Sequence, residues 1–208
     1  MPDKFYTEQI IGKVVKHALE AAEESAKGRS SVTLGRSESA QSFSLNQGGY
    51  CARFVRQVYE TACGFKPHSW SYASTDARSM TAALAADGHR VTDGSLLPGD
   101  IVGIHKNSGE FGHIAVFVGR IDGRDMIAEN TSSRFRGKPR RAGTKLTRYE
   151  DIAHRVTGVY RLLHNAPPAR WPQFRSFMYV GNRCREIVLM PNGDHRLDQR
   201  KVYWQFKQ

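Results

Sequence analysis

The stretch LLPGDIVGIHKNSGEFGHIAVFVGRIDGRDMIAEN, residues 96–130, contains three short apolar runs that are separated by turn residues. Apolar runs of this length, with Gly, Asp and Asn between them, are typical of β-strands joined by tight turns. We therefore expect strands at 101–105, 113–120 and 126–130 that form an antiparallel meander. After a basic loop at 134–143 (RFRGKPRRAG), the segment 156–163 (VTGVYRLL) predicts a fourth strand.

The chain before this stretch has the periodicity of helices rather than strands. Apolar residues recur at helical spacing in 4–27 and again in 50–63, and Gly28 and Gly64 are natural stops. A third helix, ARSMTAALAADG, begins after Asp76, whose side chain suits an N-cap. We expect a long connection at 28–49 and an aromatic loop at 65–75. Helices followed by an antiparallel sheet indicate an α+β fold, with the N-terminal helices packed on the sheet.

The end of the chain is predicted to be a small appendage. Pro and Ala interrupt any regular element in NAPPARWP, residues 165–172, which is the best linker candidate. Strand-like segments around an Asn-Gly turn follow it. The sequence thus predicts a domain at 1–164 and a small basic β appendage at 165–208.

Length and composition restrict the class of protein. A chain of 208 residues with 39% hydrophobic residues is large enough for a core. It has no apolar run near the roughly 18 residues that span a bilayer, and its N-terminus lacks the apolar centre of a secretory signal. We expect synthesis in the cytoplasm without a signal peptide. Action elsewhere would then require lysis, injection, non-classical export or a place in a virion.

The positive charge is concentrated in the last third of the chain. Residues 1–133 hold 14 Lys/Arg and 15 Asp/Glu, whereas residues 134–208 hold 17 and 5, which together give the net charge of +11. A surface with this charge attracts a polyanion, such as nucleic acid, an anionic membrane face or an acidic wall polymer. A solvated basic face that only aids solubility is an equal alternative.

The three cysteines, Cys51, Cys63 and Cys184, are too few and too scattered for a disulfide framework. No CxxC or HxxxH pattern, P-loop or dinucleotide fingerprint occurs, so we expect no metal and no cofactor. Cys51 follows two glycines at the start of a predicted helix. The free N–H groups and the dipole of a helix start favour the thiolate, which is the nucleophilic form of cysteine. A buried structural cysteine is the alternative.

A nucleophilic thiolate needs a base, and His113 at the start of a predicted strand is the candidate. The next strand ends in Glu129-Asn130, and adjacent antiparallel strands can place one of these two beside the imidazole. Strand alternation sends the two side chains to opposite faces, so only one of them is expected to touch the ring.

The ordered motifs GGYCARFVRQVY, LLPGDIVGIH and GHIAVFVG, with the polar strand end, resemble the NlpC/P60 and CHAP cysteine peptidases over about residues 45–163. These are papain-like peptidoglycan hydrolases and amidases. The resemblance implies that Cys51 is the nucleophile, His113 the general base, and Glu129 or Asn130 the third residue. The backbone N–H of Cys51 would stabilise the oxyanion, with Gln47 as a second donor. Tyr50 and Trp70 are candidate substrate-binding residues.

The chain departs from both family patterns. Tyr50 and Ala52 stand where NlpC/P60 members usually have Asp and Ser beside the cysteine, and Glu129 and Asn130 are adjacent rather than two apart as in many CHAP members. The resemblance implies cleavage of an amide bond in the wall peptide, as in a phage lysin, a virion-associated hydrolase or an exported effector. Alternatives are a cysteine peptidase, deamidase or acyltransferase on protein or lipid, or a nucleic-acid-binding protein on an inactive version of the fold.

Overall fold

The computed structural model describes residues 8–35, 40–63, 76–106, 108–132, 134–135, 138–139, 142–162, 175–180, 183–189 and 195–203. The helices of these residues are α1 (Glu8–Ala26), α2 (Cys51–Cys63), α3 (Ala77–Ala86) and α4 (Tyr149–Ile152). The strands are β1 (Ser31–Leu34), β2 (Gln41–Ser44), β3 (Ile101–Gly103), β4 (Ile114–Ile121), β5 (Arg124–Thr131), β6 (Arg134–Phe135), β7 (Lys138–Pro139), β8 (Gly143–Arg148), β9 (Gly158–Tyr160), β10 (Arg175–Val180), β11 (Arg183–Leu189) and β12 (His195–Tyr203). The predicted α+β class is confirmed.

The central element is a five-stranded antiparallel sheet with the strand order β8-β5-β4-β3-β9. The predicted β3-β4-β5 meander is confirmed, although β3 ends at Gly103, before the predicted His105. The fourth predicted strand is β9, which pairs with β3, while β5 pairs with β8. Strand β8 was not predicted, because its residues GTKLTR are mostly polar and only its first two are buried.

Helices α1 and α2 pack on one face of this sheet, as predicted. The core on this side combines the apolar stripes of both helices with alternate residues of β4, namely Ile114, Val116 and Val118. On the opposite face, Ala115 and Phe117 of the same strand pack with Ile127 and Ile152. Both faces of β4 are therefore covered, and its first six residues are all buried.

Two segments predicted as loops contain strands. Residues 28–49 were predicted to be a connection, but β1 and β2 pair as a hairpin, with Phe43 and Leu34 in the core. This prediction was wrong because the Ser-rich composition hides short strands whose few apolar residues are buried. The basic loop at 134–143 contains the small β6–β7 hairpin and the start of β8.

The third helix begins as predicted, with the Asp76 carboxylate accepting a hydrogen bond from the Ser79 N–H at 2.8 Å. Asp100 closes the turn before β3 by accepting from the Leu97 N–H at 2.7 Å. Its carboxylate also binds the guanidinium of Arg161, after β9, at 2.7 and 2.8 Å. This pair joins the start of β3 to the end of β9, where Ile101 is opposite Tyr160.

Strands β10, β11 and β12 form a separate three-stranded antiparallel sheet, and β10 lies alongside α1. The predicted strands of the C-terminal segment are therefore present. The predicted linker at 165–172, the Asn-Gly turn and the aromatic loop at 65–75 lie outside the described residues.

Candidate active site

Cys51 is the first residue of α2, as the sequence predicts. The helix begins there because the Tyr50 carbonyl accepts the first helical hydrogen bond, from the Phe54 N–H at 2.8 Å. The backbone N–H groups of Ile114 and Ala52 lie near the Cys51 sulfur and help to lower its pKa. The thiol therefore lies where the helix start meets the beginning of β4, and donors from both elements favour a negative charge on it.

The loop before Cys51 is fastened to the end of β5 by Asn130, whose side chain is fully buried. Asn130 Oδ1 accepts from the Tyr50 N–H at 2.9 Å, and Nδ2 donates to the Gln47 carbonyl at 2.8 Å. Nδ2 also lies 3.2 Å from Thr144 Oγ1, on the paired position of β8. The amide thus holds both ends of the Gln47–Tyr50 loop.

Gly48, in the middle of this loop, touches the backbone at the end of β5. A Cβ atom at this position would overlap the Thr131 carbonyl oxygen and lie 2.6 Å from Ser132 Cα. The next residue, Gly49, has φ of +92°, a conformation that favours glycine. The Gly-Gly pair therefore allows the close approach that brings Cys51 to the sheet.

His113 and Glu129 meet at the same end of the sheet. His113 directly precedes β4, Glu129 is near the end of β5, and the two strands run antiparallel with Val116 opposite Ala128. His113 Nε2 lies 2.6 Å from Glu129 Oε2. Since Nε2 faces the carboxylate, the other ring nitrogen is left for Cys51, whose thiol is near enough to raise the pKa of the imidazole. The structure thus brings Cys51, His113 and Glu129 together in that order.

Of the two adjacent candidates, Glu129 contacts the imidazole, whereas Asn130 contacts the loop before the cysteine. Strand alternation separates the two side chains, as expected. Both are buried, with Glu129 3% and Asn130 0% exposed, so neither is a surface residue.

Two residues of β8 that the sequence analysis missed hold the Glu129 carboxylate. Thr147 Oγ1 donates a short hydrogen bond to Oε1, and Lys145 Nζ lies 3.7 Å from the same oxygen. The register explains these contacts, because Lys145 is opposite Glu129 and Thr147 is opposite Ile127 on the same face of the sheet. The alternation of Lys145 and Thr147 was the available signal, but it could be used only once β8 was recognised.

The surroundings of Cys51, His113 and Glu129 shift the pKa of each side chain toward its ionised form. Burial alone would raise the pKa of Cys51, but the neighbouring His113 imidazole and the backbone N–H groups of Ile114 and Ala52 outweigh it and lower the pKa. Burial would lower the pKa of His113, but Cys51 and Glu129 outweigh it and raise the pKa to about 9. Burial would likewise raise the pKa of Glu129, but His113, Thr147 and Lys145 lower it to about 2. The arrangement therefore favours thiolate, imidazolium and carboxylate together.

Cys63, at the other end of α2, provides an internal comparison. It is a partly exposed free thiol, and burial raises its pKa to about 11. The two cysteines of one helix thus have opposite shifts, because only Cys51 has an imidazole and free N–H groups beside it.

The remaining predicted site residues have less specific surroundings. Tyr50 is 40% exposed and stands directly before Cys51. The side chain of Gln47 is exposed, and only its backbone carbonyl is fixed, by Asn130. Trp70 lies outside the described residues.

Among the described residues, no group of three or more His, Cys, Asp or Glu side chains is arranged to hold a metal ion. None of the described helices has the length and apolar character required to cross a membrane. Comparisons of the chain with protein-family models, curated proteins and solved structures give no match.

Proposed function

We propose that this protein is a papain-like cysteine hydrolase of the NlpC/P60 and CHAP type, which cleaves an amide bond in the peptide of peptidoglycan. The observation that carries the proposal is the grouping of Cys51, at the start of α2, with His113, whose Nε2 lies 2.6 Å from the Glu129 carboxylate. Thiolate nucleophile, imidazole and orienting carboxylate are the three parts that covalent cysteine catalysis requires.

In the proposed reaction, the Cys51 thiolate attacks the carbonyl carbon of the amide and forms a tetrahedral intermediate. The carbon–nitrogen bond then breaks as the His113 imidazolium gives its proton to the leaving amine, which produces a thioester on Cys51. Water attacks the thioester while His113 accepts its proton, and the carboxylic acid product leaves with Cys51 restored. Glu129 keeps the ring oriented and stabilises its positive charge throughout.

The oxyanion of the intermediate would form next to the start of α2. The Cys51 N–H is among the first-turn amides that have no partner within their own helix, so it can donate to the oxyanion. Gln47 is the proposed second donor, because its side chain is exposed and the loop that carries it is fastened by Asn130.

The polarity of the site supports an enzyme over a binding protein built on an inactive version of the fold. Removing ionised groups from water costs free energy. A protein without catalytic activity gains nothing from a carboxylate buried beside an imidazole, so such a pair is not expected in it. Here the Glu129 side chain is only 4% exposed, and its carboxylate has three polar partners, His113, Thr147 and Lys145. The basic residues of 134–208 would then serve to hold the enzyme on anionic wall polymers.

Digestion of purified peptidoglycan sacculi tests the proposal. Sacculi of several wall chemotypes would be incubated in reducing buffer with the wild type, with Cys51→Ala and with Cys63→Ala, and soluble fragments analysed by mass spectrometry. We expect new fragments from the wild type and from Cys63→Ala, with one peptide or amide bond hydrolysed, and none from Cys51→Ala. Absence of fragments from folded wild type on all chemotypes, or equal fragments from Cys51→Ala, would contradict the proposed function.

A further inference from the structure

Two large hydrophobic side chains stand out among the described residues because they are exposed: Tyr50, at 40%, and Phe111, at 67%. Tyr50 directly precedes Cys51, and Phe111 is two residues before His113. Two residues span at most about 7 Å of chain, so each aromatic ring starts close to one member of the thiol–imidazole pair. Tyr50 was predicted to bind substrate, whereas Phe111 was not.

The loop that carries Phe111 is fixed to the start of α3. The Arg78 N–H donates to the Phe111 carbonyl at 3.2 Å, and its guanidinium donates to the carbonyls of His105 at 3.3 Å and Gly109 at 3.1 Å. Gly112, with φ of +69°, approaches the His105 ring so closely that a Cβ atom would overlap Nδ1. The backbone on both sides of Phe111 is therefore anchored, and its ring is exposed on a held loop.

The Tyr50 ring is also held in place. The backbone N–H of Tyr50 donates a hydrogen bond to Asn130 Oδ1. The guanidinium of Arg53 lies over the Tyr50 ring, 6.0 Å from the ring centroid. Sites that bind organic groups are lined mainly by apolar and aromatic side chains around a few polar groups. Two exposed aromatic rings, each on a fixed segment of backbone that adjoins Cys51 or His113, fit that description.

We propose that Phe111 is a specificity-determining residue, whose ring binds an apolar or aromatic group that the substrate carries beside the bond to be cleaved. This inference rests on the proposed function, because it takes Cys51 as the reacting atom. Phe111 contributes through apolar contact alone, so it selects among substrates without changing the charge of the thiol–imidazole pair. Tyr50 borders the same position from the side of the cysteine.

Selective alkylation of Cys51 tests the inference without knowledge of the natural substrate. The wild type, Phe111→Ala, Phe111→Leu and the loop control Glu110→Ala would each react with limiting N-methylmaleimide or N-phenylmaleimide. Modification is read at the Cys51 peptide by mass spectrometry, and each rate is divided by that of glutathione with the same reagent. The ratio of the two normalised rates then reports how well the site accepts a phenyl group.

We expect the wild type to favour the phenyl reagent by about fivefold, the effect of burying roughly 40 Å² of apolar surface. Phe111→Ala should bring the ratio close to one, while Phe111→Leu and Glu110→Ala should keep most of the preference. An unchanged ratio in Phe111→Ala would overturn the inference, as would equal slowing with both reagents, which would assign Phe111 to holding the loop. If Cys51 of the wild type reacts with both reagents no faster than Cys63, the proposed function itself fails.

Discussion

Replacement of Glu129 by Gln removes the buried charge next to His113 with little change of shape. In the wild type, the pKa of His113 is raised from 6.5 to about 9 against the effect of burial, and Glu129 contributes both a hydrogen bond and a charge to this increase. A neighbouring opposite charge shifts a pKa by about 1 to 3 units, so we expect its removal to lower the His113 pKa by roughly two units, to about 7. This corresponds to about 3 kcal/mol of lost stabilisation of the imidazolium. Cys51 remains in both proteins, so the difference reports Glu129 alone.

This shift can be measured without a substrate by NMR titration of the histidine ring protons. The His113 signal is assigned by its loss in His113→Gln, and Glu150→Gln is the matched control. Glu150 is an exposed carboxylate of α4, and its ion-pair partner is Arg148, at 3.7 Å. We expect the midpoint of His113 near 9 in the wild type and in the control, and near 7 in Glu129→Gln.

The same shift predicts the change in turnover. At pH 8, an imidazole with a pKa of about 9 is about nine-tenths protonated, and one with a pKa of about 7 about one-tenth. Hydrolysis that needs this proton should therefore fall about tenfold at pH 8 from this cause, and much less at pH 6. A His113 midpoint that moves by less than about half a unit would refute the assignment of Glu129 as the partner that holds the imidazolium.

Three further predictions follow from contacts of the same site. Asn130→Leu should lower the free energy of unfolding by about 2 to 4 kcal/mol, because two backbone groups lose a buried partner, but should leave the His113 NMR midpoint unchanged; a shifted midpoint would place Asn130 on the imidazole. Gly48→Ala should reduce Cys51 alkylation and the urea midpoint together, since a methyl group overlaps the end of β5; normal values would contradict the close approach. The stabilising effect of Glu129, measured as the difference in unfolding free energy from Glu129→Gln, should be largest between pH 4.5 and 6.5. The part due to His113 is lost as pH rises through about 9, and the part due to Glu129 is lost as pH falls through about 2; a constant difference would be inconsistent with both shifts.

The elements with a strong hydrophobic periodicity were predicted from the sequence, whereas the strands that depend on pairing with other strands were not. Helix α2 and strand β4 have apolar residues at regular spacing, and both were identified close to their observed bounds. Strand β8 and the β1–β2 hairpin are short and mostly polar, and their hydrogen bonds come from neighbours that are distant in sequence. No local pattern encodes such a pairing.

The site shows the same division. Cys51 and His113 were predicted as partners because a helix start and a strand start are visible in the sequence. The choice between Glu129 and Asn130 depends on the direction of each side chain at one strand end, which adjacency in sequence leaves open. Thr147 and Lys145 became apparent only through the β5–β8 register.

The most direct test of the central claim is a competition between two thiols of one helix. Wild-type protein and His113→Ala would be treated at pH 7 with limiting iodoacetamide, and the labelled fractions of Cys51 and Cys63 measured by peptide mass spectrometry. The lowered pKa of Cys51 and the pKa of about 11 at Cys63 predict that Cys51 of the wild type is labelled far more than Cys63. In His113→Ala this preference should fall sharply. Equal labelling of the two cysteines in the wild type, or a preference that survives the loss of His113, would contradict an activated Cys51–His113 pair.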